Sequence, residues 1–155
     1  PAFGRSFDAL VTLLAELGSA DRPSAPATIS VLSGDIHFSY HSVLHFPATT
    51  PVVSHVHQVV NSPIRNALRP FERTAMRVAT SRVGALIARI LRRATGGRRP
   101  TVRWDLDHGP IFENCVGVLS FDGDAATVCL ERATVEDDGG AHRLEVVFDV
   151  DLRSC

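Results

Sequence analysis

The first third of the chain changes from helical to strand-like spacing of its hydrophobic residues. Between Ser6, which can cap a helix, and Gly18, which can end one, apolar residues recur every three or four positions (Phe7, Leu10, Leu13, Leu14, Leu17) and predict a helix over residues 6–17. A loop with two prolines follows, and a short apolar run then predicts a strand over residues 28–33. A helix, a short loop and a buried strand in this order indicate an α/β layer.

The middle of the chain predicts two more strands and one long helix. Strand-like runs cover residues 39–46 and 52–60, and the turn between them contains Pro47 and Pro51. The segment 61–66 breaks this pattern because Pro63 cannot continue a hydrogen-bonded ladder. Beyond it, apolar residues at helical spacing predict a single helix over residues 68–94, which ends at Gly96-Gly97.

The last third is typical of antiparallel β structure. Four runs are candidate strands, over residues 101–106, 115–121, 125–132 and 144–151, and Asp122-Gly123 is a strong hairpin signal. We therefore expect one unit in three parts: an α/β core over 1–66, a helix over 67–97 and terminal strands over 98–155. The chain begins at Pro1 with a helical pattern under way by Phe7, so we also expect it to be cut from a longer protein.

Composition narrows the possible partners and compartments. The formal net charge of -1 argues against bulk attraction to nucleic acid or to a membrane, and all 16 basic residues are arginine. Three cysteines without a CxxC pair are a poor disulfide framework, which favours a reducing cytoplasm over export. No apolar run approaches the roughly 20 residues that span a bilayer. We expect neither a nucleic-acid partner nor a membrane span.

The turn after the first predicted strand carries the best candidate chemistry. Gly34 lets the chain turn sharply, and Asp35 and His37 then follow two residues apart. A carboxylate oxygen and a neutral imidazole nitrogen can together hold a metal that activates water. The other interpretation is structural: Asp35 caps the turn and His37 satisfies a buried hydrogen bond. Spacing alone favours the structural interpretation.

The residues around this turn change that balance. The octapeptide Ser-Gly-Asp-Ile-His-Phe-Ser-Tyr over 33–40, the hexapeptide Asn-Ser-Pro-Ile-Arg-Asn over 61–66, and Gly109-Pro110 followed by Asn114 resemble the PhoD-like alkaline phosphatases of the metallophosphoesterase superfamily. The resemblance covers most of the chain but only the carboxy-terminal part of the family. It implies an α/β fold that is one half of a layered β-sandwich flanked by helices, ending in an antiparallel sheet.

The resemblance also implies a metal site and an activity. His37 matches the final histidine of the superfamily's last metal motif, so it is expected to bind the first metal ion. Asp35 stands where the superfamily has a histidine for the second metal. The family's use of iron and calcium fits an oxygen ligand there. The intact enzyme would hydrolyse a phosphate-ester substrate by metal-activated water. Its other ligand motifs lie upstream, in a missing amino-terminal part, so we expect residues 1–155 alone to be inactive.

Arg65 is a further candidate, as a substrate-binding residue. Its guanidinium could donate two hydrogen bonds to a phosphate if the turn over 61–66 folds back towards the site. The alternative, which the sequence favours, is that this turn only shapes the entry to the following helix and leaves Arg65 solvated.

The remaining histidines and arginines have structural interpretations that we prefer. His41 with His45, and His55 with His57, each share a strand face, which could bind metal but is more often a partly exposed sheet surface. His108 and His142 lie in turn-like sequence. The predicted helix carries a stripe of arginines, so the alternative function is a non-enzymatic interaction domain that binds an anionic or protein partner. A solvated face, or one docked on the missing part of the protein, is the simpler interpretation. The cysteines are expected to be small core residues.

Overall fold

The computed structural model describes residues 2–34, 36–61, 69–96, 101–135 and 142–153. Three helices and seven strands follow one another in these ranges. They are α1 (Ala2–Leu17), β1 (Thr28–Ser33), β2 (Ser39–His45), β3 (His55–Val60), α2 (Pro70–Ala79), α3 (Arg82–Ala94), β4 (Arg103–Ile111), β5 (Cys115–Asp122), β6 (Ala125–Val135) and β7 (His142–Asp151). Helices and sheets are therefore mixed along the chain, as an α/β fold requires.

The first sheet has four strands in the order β1-β3-β2-β4. β1 and β3 run parallel, whereas β2 runs antiparallel to both β3 and β4. β3 is an interior strand, and its residues Val56, His57, Val59 and Val60 are buried, from both of its faces. Val11 and Leu14 of α1 cover one face of this sheet and pack in a buried cluster with Leu44, Val56 and Val102.

The second sheet is antiparallel, in the order β5-β6-β7. The predicted hairpin at Asp122-Gly123 joins β5 to β6, where Gly123 takes a left-handed conformation with φ 56°. Its core is built around Leu130 and Leu152, both fully buried, and Val59 of β3 belongs to the same cluster. The two sheets therefore pack against each other through the face of β3 that α1 does not cover.

The long helix predicted over residues 68–94 is wrong, because two shorter helices replace it. The Thr80 hydroxyl donates back to the carbonyl oxygen of Met76, and the Ser81 hydroxyl accepts from the Gly84 amide at 3.3 Å, as a helix N-cap does. Both side chains compete for backbone groups that a continuous helix would use, so the helix ends and restarts at this point.

Two further elements differ from the prediction. α1 begins at Ala2, so Ser6 lies inside the helix and is not its cap. β4 pairs with β2 in the first sheet, which takes it out of the terminal antiparallel sheet expected over the last third of the chain. Strand pairing depends on long-range contacts that sequence periodicity does not report.

The coarse fold prediction is confirmed, since helices combine with two sheets and the chain ends in an antiparallel sheet of three strands. In the part of the chain that the structure describes, no helix is long and apolar enough to cross a membrane.

Ser42 in β2 is a buried hydroxyl whose removal should stabilise the fold. It is 4% exposed, and among the described residues its Oγ is the buried side-chain atom without a hydrogen-bond partner. An unsatisfied buried hydroxyl costs about 1–3 kcal/mol, so we expect Ser42→Ala to raise the free energy of unfolding by about 1 kcal/mol in urea titrations.

Ser39→Ala is the matched control for this prediction. The Ser39 hydroxyl is also buried but donates to Oδ1 of Asn61 at 3.1 Å, so its removal should lower the free energy of unfolding by about 1 kcal/mol. Equal effects of the two substitutions would contradict the hydrogen-bond assignment of Ser42.

Candidate functional site

The carboxyl ends of β1 and β3 meet at one edge of the first sheet. Ser33 pairs with Val60 in the last register position, and the Asn61 amide then donates to the Ser33 carbonyl oxygen at 3.1 Å. A Cβ atom on Gly34 would lie 2.9 Å from the carbonyl oxygen of Asn61. Only glycine lets the two strand ends approach this closely, so Gly34 fixes where the chain leaves the sheet.

His37 holds a left-handed backbone conformation three residues later. Its φ is 65°, and it is the non-glycine residue with positive φ among the described residues. Such a conformation costs a side-chain-bearing residue free energy, and residues held in it cluster at binding and catalytic sites. The half-buried imidazole of His37 therefore occupies a constrained position at the carboxyl end of a parallel strand, where open α/β sheets bind their ligands.

Aromatic contacts of Phe38 hold the turn that carries His37 in place. The Phe38 ring stacks on Tyr40 with centroids 5.6 Å apart and contacts Phe112 at 5.9 Å. Asn61, on the neighbouring strand end, accepts the hydrogen bond from Ser39. These contacts hold the backbone on both sides of the turn, so the imidazole sits on a rigid base.

The other sequence-predicted site residues lie outside the described residues. These residues are Asp35, and Arg65 in the segment 62–68. Among the residues that are described, no group of three His, Cys, Asp or Glu side chains could hold a metal ion. A metal site at His37 would therefore need Asp35 and further residues as ligands.

A second cluster of titratable side chains lies between the two sheets, and the sequence did not predict it. His41 of β2 and His57 of β3 are fully buried, and Nε2 of His41 lies 3.0 Å from Nδ1 of His57. Nε2 of His57 donates to the carbonyl oxygen of Leu152 at 2.7 Å, and Nδ1 of His41 lies 3.1 Å from a carboxylate oxygen of Asp107. The two imidazoles and the Leu152 carbonyl form a chain of hydrogen bonds in the interior, and Asp107 contacts its surface end.

The direction of the protons along this chain follows from its buried end. Because the Leu152 carbonyl can only accept, His57 carries its proton on Nε2, and its Nδ1 then accepts from Nε2 of His41. With both imidazoles neutral, Nδ1 of His41 has no proton to donate to Asp107. The contact between His41 and Asp107 at the surface end therefore becomes a hydrogen bond only when one of these two side chains takes up a further proton.

Burial determines the charge of the two imidazoles. It lowers the pKa of both His41 and His57, since the interior disfavours the charged form. The Asp107 carboxylate opposes this effect at His41 through its hydrogen bond and charge, while neighbouring His108 adds to the lowering. Both imidazoles are consequently neutral near neutral pH, and the cluster acts as a hydrogen-bonded part of the core.

Pairing of the strands explains why this cluster was missed. The expectation of a partly exposed histidine surface is wrong for His41 and His57, although His45 at the strand end is half exposed. His41 pairs with Val59, so it lies diagonally across from His57 on one sheet face. Antiparallel pairing of the two predicted strands was the signal that could have found it.

His108 and His142 also differ from the turn-like contexts expected for them. His108 lies within β4, opposite His41, and its ring stacks on Phe148 with centroids 4.7 Å apart. His142 is the first residue of β7. The sequence predicted this strand only as far as residue 106, because Gly109-Pro110 is typical of a turn.

Cys115 is a core residue, as predicted, whereas Cys129 is only partly buried. Cys115 is 3% exposed in the core of the second sheet, and burial together with the charge of Glu113 raises the pKa of its thiol. Burial likewise raises the pKa of Cys129. Thiols that resist ionisation are poor nucleophiles and metal ligands. Cys155 lies outside the described residues.

Comparisons with protein-family models, with curated proteins and with solved structures found no match to this chain.

Proposed function

We propose that this chain is part of a metal-dependent phosphatase or phosphodiesterase, with the turn after β1 as one edge of its metal site. The observation that carries the proposal is His37, which is held with φ 65° beyond a glycine that is packed against Asn61 at the carboxyl end of β1. Glycine adopts the left-handed conformation without strain, so a histidine held there costs free energy that a ligand role would offset. The resemblance of the motif over 33–40 to PhoD-like metallophosphoesterases supports the same role.

In this proposal His37 contributes one imidazole nitrogen and Asp35 one carboxylate oxygen. Two ions, iron and calcium by resemblance, would supply Lewis acidity towards the phosphate ester when bound. Arg65 would bind a phosphoryl oxygen of the substrate. The remaining ligands would come from the amino-terminal part that the resemblance implies, so we expect residues 1–155 alone not to hydrolyse p-nitrophenyl phosphate.

His37→Gly tests the metal site without disturbing the backbone. Glycine adopts φ 65° without strain but supplies no ligand atom, so the fold should be kept and the metal lost. In a protein that carries residues 1–155 together with their upstream coding sequence, we expect at least a tenfold loss of bound metal and of phosphodiester hydrolysis. Metal content is measured by elemental analysis, and the melting temperature should stay within a few degrees of wild type.

His45→Gln is the matched control, because this half-exposed histidine lies at the other end of β2, where its side chain contacts the half-exposed Asp105. It should leave metal content and hydrolysis unchanged. If His37→Gly retained both, His37 would not be a ligand, and the proposed function would lose its main support. Hydrolysis by residues 1–155 alone would contradict the incomplete site.

A further inference from the structure

α2 and α3 each expose large apolar side chains on one face. On α3, Val83, Leu86, Ile87, Ile90 and Leu91 follow the spacing of one helix face and are between 47% and 60% exposed. On α2, Phe71 is 66% exposed and Val78 48%. Neither helix has a buried residue. We call these seven side chains the apolar row.

The two helices turn their arginine faces, and not their apolar faces, towards the rest of the protein. The guanidinium groups of Arg73 and Arg77 lie over the Phe112 ring, 5.8 and 5.4 Å from its centroid. On α3, Arg89, Arg92 and Arg93 line, together with Ala85 and Ala88, a cleft of about 1110 Å³ between this helix and the ends of β2 and β4. A helix of a globular domain normally has the opposite orientation, with its apolar face inwards.

Positive charge is concentrated on the same segment. Residues 69–94 contain seven arginines and one glutamate, whereas the rest of the chain has nine basic and sixteen acidic residues. α3 has no acidic residue. Among the described residues, no ion pair involves Arg82, Arg89 or Arg93. By helical geometry, these three arginines lie along one border of the apolar row.

We propose that α2 and α3 lie on the surface of an anionic lipid bilayer, with the apolar row in the boundary between headgroups and acyl chains. Apolar side chains on one face and arginines on the other, at low overall hydrophobicity, are the composition of interfacial helices. The long arginine side chains at the border reach up to the headgroups, where anionic lipids supply the charges that the segment lacks. This role is independent of phosphate-ester hydrolysis.

Nucleic acid and a second copy of the chain fit these helices less well. Nucleic acid would engage the arginines but leave most of the apolar row in water, since Phe71 is the one aromatic side chain in the row on which a base could stack. A second copy of the chain would bring two arginine-rich helices together without acidic partners. Repulsion between the arginines of the two copies would oppose their association.

Vesicle co-sedimentation with the full chain tests the proposal. We expect binding to vesicles of phosphatidylcholine mixed with phosphatidylglycerol, and little binding to phosphatidylcholine alone. Because attraction to anionic headgroups is electrostatic, added salt should weaken the partitioning.

Two double variants separate charge from apolar contact. Arg89→Gln with Arg93→Gln should weaken partitioning about thirtyfold, since each arginine near an anionic surface contributes about fivefold. Ile87→Gln with Ile90→Gln removes two members of the apolar row and should weaken it about a hundredfold or more. All four positions are at the surface and glutamine is a good helix former, so circular dichroism should be unchanged.

Matched variants elsewhere should leave partitioning unchanged. Leu144 and Val146 of β7 are 52% and 55% exposed, so changing both to glutamine removes equally exposed apolar area. Changing Arg22 and Arg143 to glutamine removes the same charge outside the helices. Equal losses from these controls would show non-specific adsorption and overturn the proposal. Tighter binding to duplex DNA than to the anionic vesicles, or a dimer that Ile87→Gln with Ile90→Gln dissociates, would also overturn it.

Discussion

His57→Ala should lower the free energy of unfolding by about 3–5 kcal/mol, which is a large part of the stability of a domain of this size. The imidazole is fully buried between the two sheets, so its removal leaves a cavity that the rigid strands cannot close. It also deprives two groups of their partners. The Leu152 carbonyl loses its donor at 2.7 Å, and Nε2 of His41 loses its acceptor at 3.0 Å. Urea titrations followed by fluorescence of Trp104 measure the loss.

Two comparisons distinguish the hydrogen-bond chain from simple packing. His55→Ala removes a half-buried imidazole from the same strand face and should cost less than about 1 kcal/mol. In a double-mutant cycle, His41→Ala and His57→Ala should couple by about 1–3 kcal/mol, because each removes the 3.0 Å hydrogen bond that joins the two imidazoles. Additive effects would mean that the two imidazoles only fill space.

The local elements of this fold were readable from the sequence wherever one pattern dominated. β1 was predicted with its exact bounds, because its short apolar run lies between a proline-containing loop and Gly34. The hairpin between β5 and β6 followed from Asp122-Gly123, whose residues suit a tight turn. The segment over 68–94 was read as one helix because its apolar spacing continues through Thr80 and Ser81. Their hydroxyl groups compete for backbone hydrogen bonds and so favour a helix end, but in a sequence this is a weaker indication than the apolar periodicity that favours a continuous helix.

The pairing of strands was not readable in the same way. Nothing in the sequence of β4 distinguishes a strand that pairs with β5 from one that pairs with β2, because both choices satisfy its backbone. The chain from Asp107 through His41 to His57 depends on that choice, since it draws residues from three strands of the first sheet. A cluster built by tertiary pairing cannot be found from spacing within one strand.

The short motif after β1 predicted only part of the candidate site. The sequence placed a turn with a candidate ligand directly after β1, and the structure describes that turn at Gly34 and His37. The positive φ of His37 was not predictable, because only a few per cent of residues other than glycine adopt this conformation. The metal role of Asp35 and His37, and the substrate role of Arg65, remain predictions.

Acidification should destabilise the protein from about pH 6.5 downwards, because its two buried imidazoles must become charged on unfolding. Burial lowers the pKa of His41 and of His57 in the folded state. A histidine whose pKa is lower in the folded protein contributes its full stabilisation at pH values above its unfolded-state pKa, near 6.5. This stabilisation is lost as the pH falls towards the folded-state pKa. Asp107 raises both pKa values, and the hydrogen bond to the Leu152 carbonyl raises that of His57. His108 lowers the pKa of His41, and His41 and His55 lower the pKa of His57.

Urea titrations at a series of pH values from 8 to 5 measure this dependence, whose slope should reach about 1.4 kcal/mol per pH unit for each proton taken up on unfolding. A double variant, His41→Gln with His57→Gln, removes both titrating groups and should flatten the slope even though it lowers the stability at pH 8. His45→Gln with His142→Gln removes two histidines that are not buried and should keep the wild-type slope. Asp107→Asn removes the carboxylate that favours the charged imidazoles, so the decline should continue to lower pH. A slope that the His41 and His57 variant leaves unchanged would assign the acid sensitivity to other groups.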